Sequence, residues 1–521
     1  MMPPASPLVP DRQHRLRLRP HATVATLRSP DRGRLVATLA ALPAETDLAE
    51  IRLDALWPKV PDAERATDDL LALTDAAADL KVPLLATLRP RRQGGDYDGP
   101  EDVRLSLLQA ALRAGFAAAD LEFDGLDMPA RIGALRPSGD LVLSLHLAGE
   151  APCRSDGLNP LLAMQDLDVT FDKLAFTASA YPDQLRALEL ARAHHLRGGR
   201  PAVSTMTMAS PELRALMPLA GNHATYGHAP GLAPAVTGQP ALADIEAVWR
   251  HWGLTRADLD HCAQGKGEWL GVLGIPVWHS RSPRLHNAWL RAAKRPERFG
   301  ALEVPASASA LRLTFHAAER IGLVGASITA PHKIDAARIA IGDDAVKAIG
   351  AANCVKLAPG GLATATNTDA TAVARLAKGH VGPGTSVLIL GSGGFARSAT
   401  HALKGLGAHV VVAGRDEAKA KAFHALGASF IPWADRAKAA ETAADAIVQA
   451  TSLTDNTVLS RSSLARKPWV LEAAYAGGPT DVQRAAGAAG CTVTDGLALL
   501  QEQAADAYRF WFGTDPPAVR P

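Results

Sequence analysis

The chain has 521 residues, 47% of them hydrophobic and 21% charged, enough for several domains with sizeable cores. Its 55 basic and 53 acidic residues leave a net charge of +2, so no global field points to nucleic acid or a membrane surface. Affinity for acidic small molecules must come from local sites. No apolar run approaches the roughly 20 residues of a membrane span. Cys153, Cys262, Cys354 and Cys491 lie far apart without metal-ligand spacing, as thiols of a reducing cytoplasm do.

Residues 1–32 are rich in Pro and Arg and poor in acids, without the apolar core of a secretory signal, and are expected to form a disordered tail. From Arg34 onward short apolar runs alternate with Ala/Leu-rich helical stretches. LVATLA (35–40), AEIRLDAL (49–56), VPLLATLR (82–89), AADLEF (118–123), LVLSLHLA (141–148) and DKLAFTA (172–178) are expected as strands, with AVST (202–205) and ATYG (224–227) weaker. Helices are expected over 62–79, 101–115, 182–197 and 241–252. Eight such units predict a (β/α)8 (TIM) barrel over residues 33–258. Its active site would lie at the C-terminal strand ends, where Glu50, Arg52, Asp54, Arg89, Glu122, His146 and Lys173 gather. HCAQGKGE (261–268) is the expected linker.

The next segment opens with LGVLGIPVWHSRSPRLHN (270–287). Ser280 and Ser282 stand two apart beside a helix N-terminus, whose free N–H groups suit a small carboxylate. The competing reading is a plain N-cap, since Ser-Pro opens helices anyway. ALEVP (301–305), IGLVGASITAPHK (321–333) and AANCVKL (351–357) follow. Then Gly391-Ser392-Gly393-Gly394-Phe395-Ala396 succeeds the apolar strand VLIL and opens a helix, the required context for dinucleotide binding. Gly391 makes the tight turn, Gly393 admits pyrophosphate, and Ala396 allows close helix packing. Arg415 ends the following strand, where an arginine can grip a 2′-phosphate and an acid would take the 2′-hydroxyl of NAD, so NADP is favoured. The last stretch, 494–513, has the period of an amphipathic helix.

Reducing a ring ketone needs a proton donor near the carbonyl and groups that fix the ring. The motif H-S-x-S-P-x-x-H-N, then S-I-T-A-P-H-K ending at Lys333, GAANCV with Asn353 and TNTDA with Asp369 resemble, in the same order, the motifs of the shikimate dehydrogenase family. The resemblance covers roughly residues 268–515. It implies a substrate domain (268–372 plus 490–516) and a Rossmann-like NADP domain (380–489). It further implies that Lys333 and Asp369 are the catalytic pair. Ser280 and Ser282 would hold the substrate carboxylate, and Thr329, Asn353, Tyr475 and Gln503 would bind the ring. The coenzyme would fall to Gly391, Gly393, Gly394, Ala396, Arg415 and Gly496. Ser327, Cys354, Ala365 and Gln449 depart from the family pattern, as does Asp416, whose charge would repel a phosphate.

In the first half, Lys173 stands on a strand flanked by apolar residues (FDKLAF). It is costly to bury charged there, which makes it an amine nucleophile able to form a Schiff base with a ketone. The competing reading is a lysine snorkelling from a strand end. Glu50, Arg52 and Asp54 alternate and would share one strand face. His146 could shuttle a proton, while Arg89, Arg214 and Gln239 could bind carboxylate and hydroxyls. The motifs E-x-R-x-D, T-x-R, S-x-H, K-L-A and a closing Gly-Gln resemble type I 3-dehydroquinate dehydratase over roughly residues 33–253. This implies an imine at Lys173, His146 as general acid/base, and no metal. Gln93, Leu147 and Ala235 stand where that family has Glu, Asp and Ser.

Together the resemblances imply one cytoplasmic enzyme that dehydrates 3-dehydroquinate and reduces the product to shikimate with NADPH. Two rivals stay open at this point. The barrel could be a scaffold or binding module, or the second half could be a quinate/shikimate dehydrogenase using NAD.

Overall fold

The computed structural model describes residues 16–519, apart from 79, 126, 148, 150, 207–209, 456–457 and 476–477. It divides into two units, one running to Arg250 and resuming over Leu254–Gly267, the other made of His251–Gly253 and the chain from Glu268 onward. The first fifteen residues of the expected tail lie outside the described residues.

Unit one is a nearly closed ring of eight parallel strands: β1 Ala22–Leu27, β2 Leu48–Arg52, β3 Leu84–Thr87, β4 Ala118–Glu122, β5 Asp140–Leu147, β6 Phe171–Phe176, β7 Pro201–Thr205 and β8 Ala224–His228. The paired order runs from β7 down to β1 and on to β8. Between β7 and β8, the Asn222 side chain accepts from Val203 N (2.8 Å) and donates to Val203 O (3.3 Å) and Ala224 O (2.7 Å).

The first strand corrects the sequence reading. LVATLA belongs to the helix Arg32–Ala40, and the strand is ATVATL, inside the segment expected to be a tail. Both have an apolar texture. What separates them is Asp31, whose carboxylate accepts from Gly33 N and Arg34 N and starts a helix that buries Leu35 and Leu39, four residues apart. Leu16 and Leu18, also in that tail, pack against the barrel interior. Two further corrections concern lengths. The second strand stops at Arg52, and Leu53–Leu56 is a short helix carrying Asp54. The first half of the expected linker, 261–264, is the end of the helix Arg256–Gln264, started by a capping box of Thr255 and Asp258.

Alternation along the ring builds two layers. Ala22, Leu48, Leu85, Ala118, Val142, Phe171, Ala202 and Ala224 form an apolar one. Two residues beyond most of them, on the same strand faces, stand Glu50, Thr87, Asp120, Ser144, Lys173, Ser204 and Tyr226.

Unit two holds two sheets. The first has the order β10-β9-β11-β13-β14-β12, from β9 Trp269–Gly274, β10 Arg298–Glu303, β11 Leu323–Ile328, β12 Ile341–Gly342, β13 Cys354–Ala358 and β14 Leu362–Thr366, with β13 antiparallel to both neighbours. The second is all parallel in the order β17-β16-β15-β18-β19-β20, from β15 Ser386–Leu390, β16 His409–Gly414, β17 Ser429–Pro432, β18 Ala446–Gln449, β19 Trp469–Glu472 and β20 Val493–Thr494. That is the 3-2-1-4-5-6 order of a doubly wound dinucleotide fold, with the strand order reversing between β15 and β18. Val387 and Ile389 face one core, Leu388 and Leu390 the other. The expected boundary at 489/490 moves: β20 completes the second sheet, and the helix Gly496–Phe512 begins after it. That helix returns to the first sheet, where Trp511 Nε1 donates to Val355 O at 2.9 Å.

Candidate active sites

In the barrel, Lys173 Nζ donates to Glu50 Oε1 (3.1 Å) and Asp120 Oδ2 (3.2 Å) and lies 4.1 Å over the Tyr226 ring. The apolar surround expected from FDKLAF is therefore replaced by two carboxylates and a ring face. Its immediate neighbours Asp172 and Leu174 point outward by strand alternation, and Phe171, which shares its face, lies one layer below. Thr26 and Thr87 hydroxyls donate to Glu50 at 2.7 and 3.0 Å. Burial pushes the Glu50 carboxyl up, but Lys173 and Arg52 outweigh it and hold it below the usual carboxylate range. Asp120 is fully buried. Burial opposes its charge as well, and Lys173, Arg89 and the Ser144 hydroxyl overcome that and keep it ionised.

Arg89 Nη2 donates to Asp120 Oδ2 at 3.1 Å, while Nη1 contacts the His146 ring. Burial, then Arg89, Lys173 and Arg52, push the His146 imidazole well below its ordinary 6.5, so the ring is neutral. Gln93 Oε1 accepts from the His146 backbone N–H at 3.1 Å. Its hold is on the main chain of the histidine. Arg52 forms a two-pronged pair with Asp54 at 2.8 and 2.7 Å, which survives the change of element at Leu53. Gln239 Nε2 donates to Thr26 Oγ1 (3.2 Å), and its Oε1 accepts from Ala235 N (2.9 Å). Glu122, expected at the site, instead lies 2.6 Å from buried Arg104, which comes from the helix Glu101–Arg113.

Arg214 has a different surround. It donates to Ser204 Oγ (2.6 Å), Thr205 O (2.9 Å) and Tyr226 O (3.4 Å), and no carboxylate pairs with it among the described residues. Burial alone lowers it to about 10. A buried cation held by neutral acceptors is a receptor for an incoming anion. Asp120, Tyr226, Thr26 and Thr87 were missed in the sequence. The missing signal was the ring itself, which places the residue two beyond each apolar inward position in the polar layer.

In unit two, Lys333 Nζ donates to Asp369 Oδ2 at 2.6 Å. Asn353 Nδ2 donates to Asp369 Oδ1 (2.9 Å), Thr368 Oγ1 (2.9 Å) and Gln503 Oε1 (3.0 Å), and its Oδ1 accepts from Thr368 N (2.7 Å). Five residues from four places in the chain thus share one network. Thr329 follows β11, its backbone N–H on Leu273 O (2.9 Å); a Cβ on Gly274 would lie 2.3 Å from its methyl group. Ser280 and Ser282 are buried. Ser282 opens the helix Ser282–Ala292, whose N-cap is Arg281, so the simple capping reading fails. Ser280 Oγ accepts from Ser282 N at 3.3 Å. Tyr475 and Gly496 line a cleft with Arg281, Pro479 and Gln483.

The glycine turn fits a dinucleotide. Gly391 has φ +112°, and a Cβ there would lie 2.9 Å from Thr451 Cγ2 and 3.1 Å from Ala450 O, across the strand-order reversal. Gly393 is the N-cap of the helix Gly394–Gly405, with open space above it, and Ala396 is fully buried. Gly394 has another use as well: a Cβ on it would meet Lys333 Cβ at 2.7 Å, so it brings this helix end onto the lysine. Arg415 is exposed just past β16. The Asp416 carboxylate is engaged elsewhere, accepting from Ala418 N at 3.1 Å and pairing with Lys419 at 3.7 Å.

A shikimate dehydrogenase (NADP(+)) of Methanocella arvoryzae is 34% identical over 257 residues, which span 94% of that protein and 47% of this chain. The chain belongs to the shikimate dehydrogenase family. A second relative of the same name, from Haloarcula marismortui, is 33% identical over 259 residues, 95% of its length and 48% of this chain. The family model for the shikimate dehydrogenase substrate binding domain matches residues 272–355, and that for type I 3-dehydroquinase matches residues 23–255. Type I dehydroquinase and shikimate dehydrogenase domains therefore share one chain. The former match begins inside β1, in agreement with the corrected first strand. The solved dehydroquinate dehydratase and shikimate dehydrogenase of S. pombe AroM covers 95% of this chain and 96% of its own, at 20% identity and a TM-score of 0.38. Among the described residues no helix is long and apolar enough to cross a membrane.

Proposed function

We propose that this bifunctional enzyme dehydrates 3-dehydroquinate to 3-dehydroshikimate in the barrel and reduces that product to shikimate with NADPH in the second unit. The observation that carries the first half is Lys173, buried between two carboxylates, together with Arg214, which pairs with no carboxylate among the described residues. The substrate carboxylate pairs with Arg214, and Lys173 Nζ attacks the ketone. Neutral His146 takes the proton from the carbon beside the imine and returns it to the departing hydroxyl. Arg52, Arg89 and Gln239 hold the remaining substrate oxygens.

In the second half, Ser280 and Ser282 hold the carboxylate, and Thr329, Tyr475 and Gln503 orient the ring. Asn353 fixes one oxygen of Asp369 so that the other meets Lys333, which gives a proton to the carbonyl oxygen. Bound NADPH would supply the hydride, held at Gly391, Gly393, the N-terminus of the helix Gly394–Gly405, and Gly496. Arg415, with Asp416 turned away, would grip the 2′-phosphate. The relatives' names carry NADP(+), which supports this choice over NAD. The cysteines are free, which suits a cytoplasmic location.

One experiment tests the reading. The purified chain is given 3-dehydroquinate and NADPH, and both coenzyme oxidation and shikimate are followed. In parallel, borohydride is added with substrate, and ligand mass is sought on the peptide containing Lys173. An adduct there and shikimate in the first assay are expected. No adduct and no dehydration would leave the barrel as a binding module.

A further inference from the structure

We propose that Asp120 is a further catalytic residue of the dehydratase, the carboxylate that stays paired with the Lys173 nitrogen throughout imine chemistry. The inference rests on the proposed Schiff-base reading of the barrel.

Imine formation changes what that nitrogen can donate. The ammonium carries three N–H groups. On condensation two of the hydrogens leave with the carbonyl oxygen as water, and the positive charge stays on nitrogen. The iminium keeps a single N–H. Two carboxylates grip Nζ beforehand, Glu50 at 3.1 Å and Asp120 at 3.2 Å, so one must let go.

Their surroundings differ in a way that assigns the roles. Glu50 is otherwise hydrogen-bonded by two neutral hydroxyls, those of Thr26 and Thr87, one on each oxygen, and Arg52 acts on it without a direct hydrogen bond. Asp120 has a permanent cation: Arg89 Nη2 shares with Lys173 the same oxygen, Oδ2, while Ser144 occupies Oδ1. When the proton beside the imine is removed, the iminium electrons move to an enamine and the nitrogen becomes neutral. Asp120 remains ionised at that stage, because Arg89 still faces it, and waits for the charge to return as the hydroxyl leaves. The same Arg89 touches the His146 ring, so one buried carboxylate fixes the nucleophile and the group that contacts the proton carrier. Asp120 on β4 reaches the lysine on β6 across the single intervening strand β5.

The test uses the full chain with Asp120→Asn and Asp120→Ala, measuring dehydratase kcat and KM, borohydride trapping at Lys173, and the unfolding transition. Loss of the charge should lower kcat by roughly 10²-fold, as removal of one preorganised electrostatic group does, with KM within about threefold because Arg214 is untouched. Sodium formate should restore part of the kcat of Asp120→Ala in a saturable manner. A purely structural role would not respond to formate. Wild-type kcat in Asp120→Asn, or a folded Asp120→Ala that formate does not rescue, would overturn the assignment. Should Asp120→Asn not fold, the formate dependence of Asp120→Ala decides alone. If the wild-type chain itself traps no adduct, the Schiff-base reading has failed rather than the role of Asp120.

Discussion

His286 offers a stability test free of catalysis. Its ring is fully buried, stacked on Phe299 at 4.5 Å and 13° between planes, with Trp289 and Trp511 at 5.5 and 5.2 Å. Neither ring nitrogen has a hydrogen-bond partner among the described residues, and burial lowers the imidazole from 6.5 to about 3. The site is an aromatic box holding a polar ring. His286→Phe keeps the stacking and removes a buried donor and acceptor without partners, each of which costs about 1–3 kcal/mol. With some strain from the new contact, a gain of about 1–3 kcal/mol at pH 7 is expected, or ~2–10 °C in the unfolding of a domain this size. The pH dependence is sharper. In the unfolded chain this histidine takes up a proton as pH falls below 6.5, whereas the folded one resists until about pH 3. Stability present above pH 6.5 is therefore lost progressively down to about pH 3, at about 1.4 kcal/mol per pH unit, or roughly 3 kcal/mol at pH 4.5. Carboxylates add their own acid dependence, so the quantity to measure is the difference between variant and wild type. Urea unfolding at pH 7.5, 6.0, 5.0 and 4.5 should show the advantage of His286→Phe growing as pH falls. A pH-independent difference, or a variant less stable at every pH, would refute the reasoning and mean that the ring nitrogens are satisfied.

Arg415→Ala should raise the KM for NADPH about 10–100-fold, the worth of a charge-assisted contact, and leave the KM for NADH within about threefold; equal losses would remove Arg415 from the 2′-phosphate. Lys333→Ala should lower dehydrogenase kcat by roughly 10²–10⁴-fold with coenzyme affinity kept, which fluorescence titration of NADPH checks. Ser282→Ala should act through the KM for dehydroshikimate, and a pure kcat effect would displace it from the carboxylate site. Gln93→Glu places a negative charge at the His146 amide, opposing the cations that hold the imidazole down. The acid limb of the dehydratase pH–rate profile should then lie higher than in the wild type, and an unmoved limb would show that the charge does not reach the ring.

Linear patterns carried the features that need one residue at one spacing. The S-x-S-P turn, the glycine turn after VLIL and the lysine in FDKLAF all stand where the chain order implied. Roles that need several strands at once were hidden. Asp120 reads as one acid in a strand, AADLE, until ring closure puts it between Lys173 and Arg89. Thr26 fell in a segment whose Pro and Arg content suggested a tail. Only the pairing of β1 with both β2 and β8 shows that the ring needs that strand. The period-2 texture of LVATLA was matched by that of ATVATL, and the capping carboxylate of Asp31 decided between them. Gly394 looked like a coenzyme residue, yet its distance to Lys333 is a tertiary fact no motif spacing contains. The surround of Lys173 was misjudged because its sequence neighbours face outward, while its spatial neighbours come from β2, β4 and β8.

The two lysines show how environment divides one side-chain type between two chemistries. Lys173 is pinned by two carboxylates over a tyrosine face, with its side chain 8% exposed. Several fixed partners hold the nitrogen at one point in space, which suits a nucleophile that must become a covalent sink and be released unchanged. Lys333 has one carboxylate at 2.6 Å and is 15% exposed at the start of a short helix. A single short charge-assisted bond makes the lysine and Asp369 a pair along which a proton can pass, and Asn353 holds the far oxygen so that the pair keeps its direction. In the proposed scheme the first lysine is consumed and regenerated through bonds to carbon, and the second through bonds to hydrogen alone. The number of carboxylates around each nitrogen follows from that difference: two where a donor must be surrendered during turnover, one where a proton needs a single route.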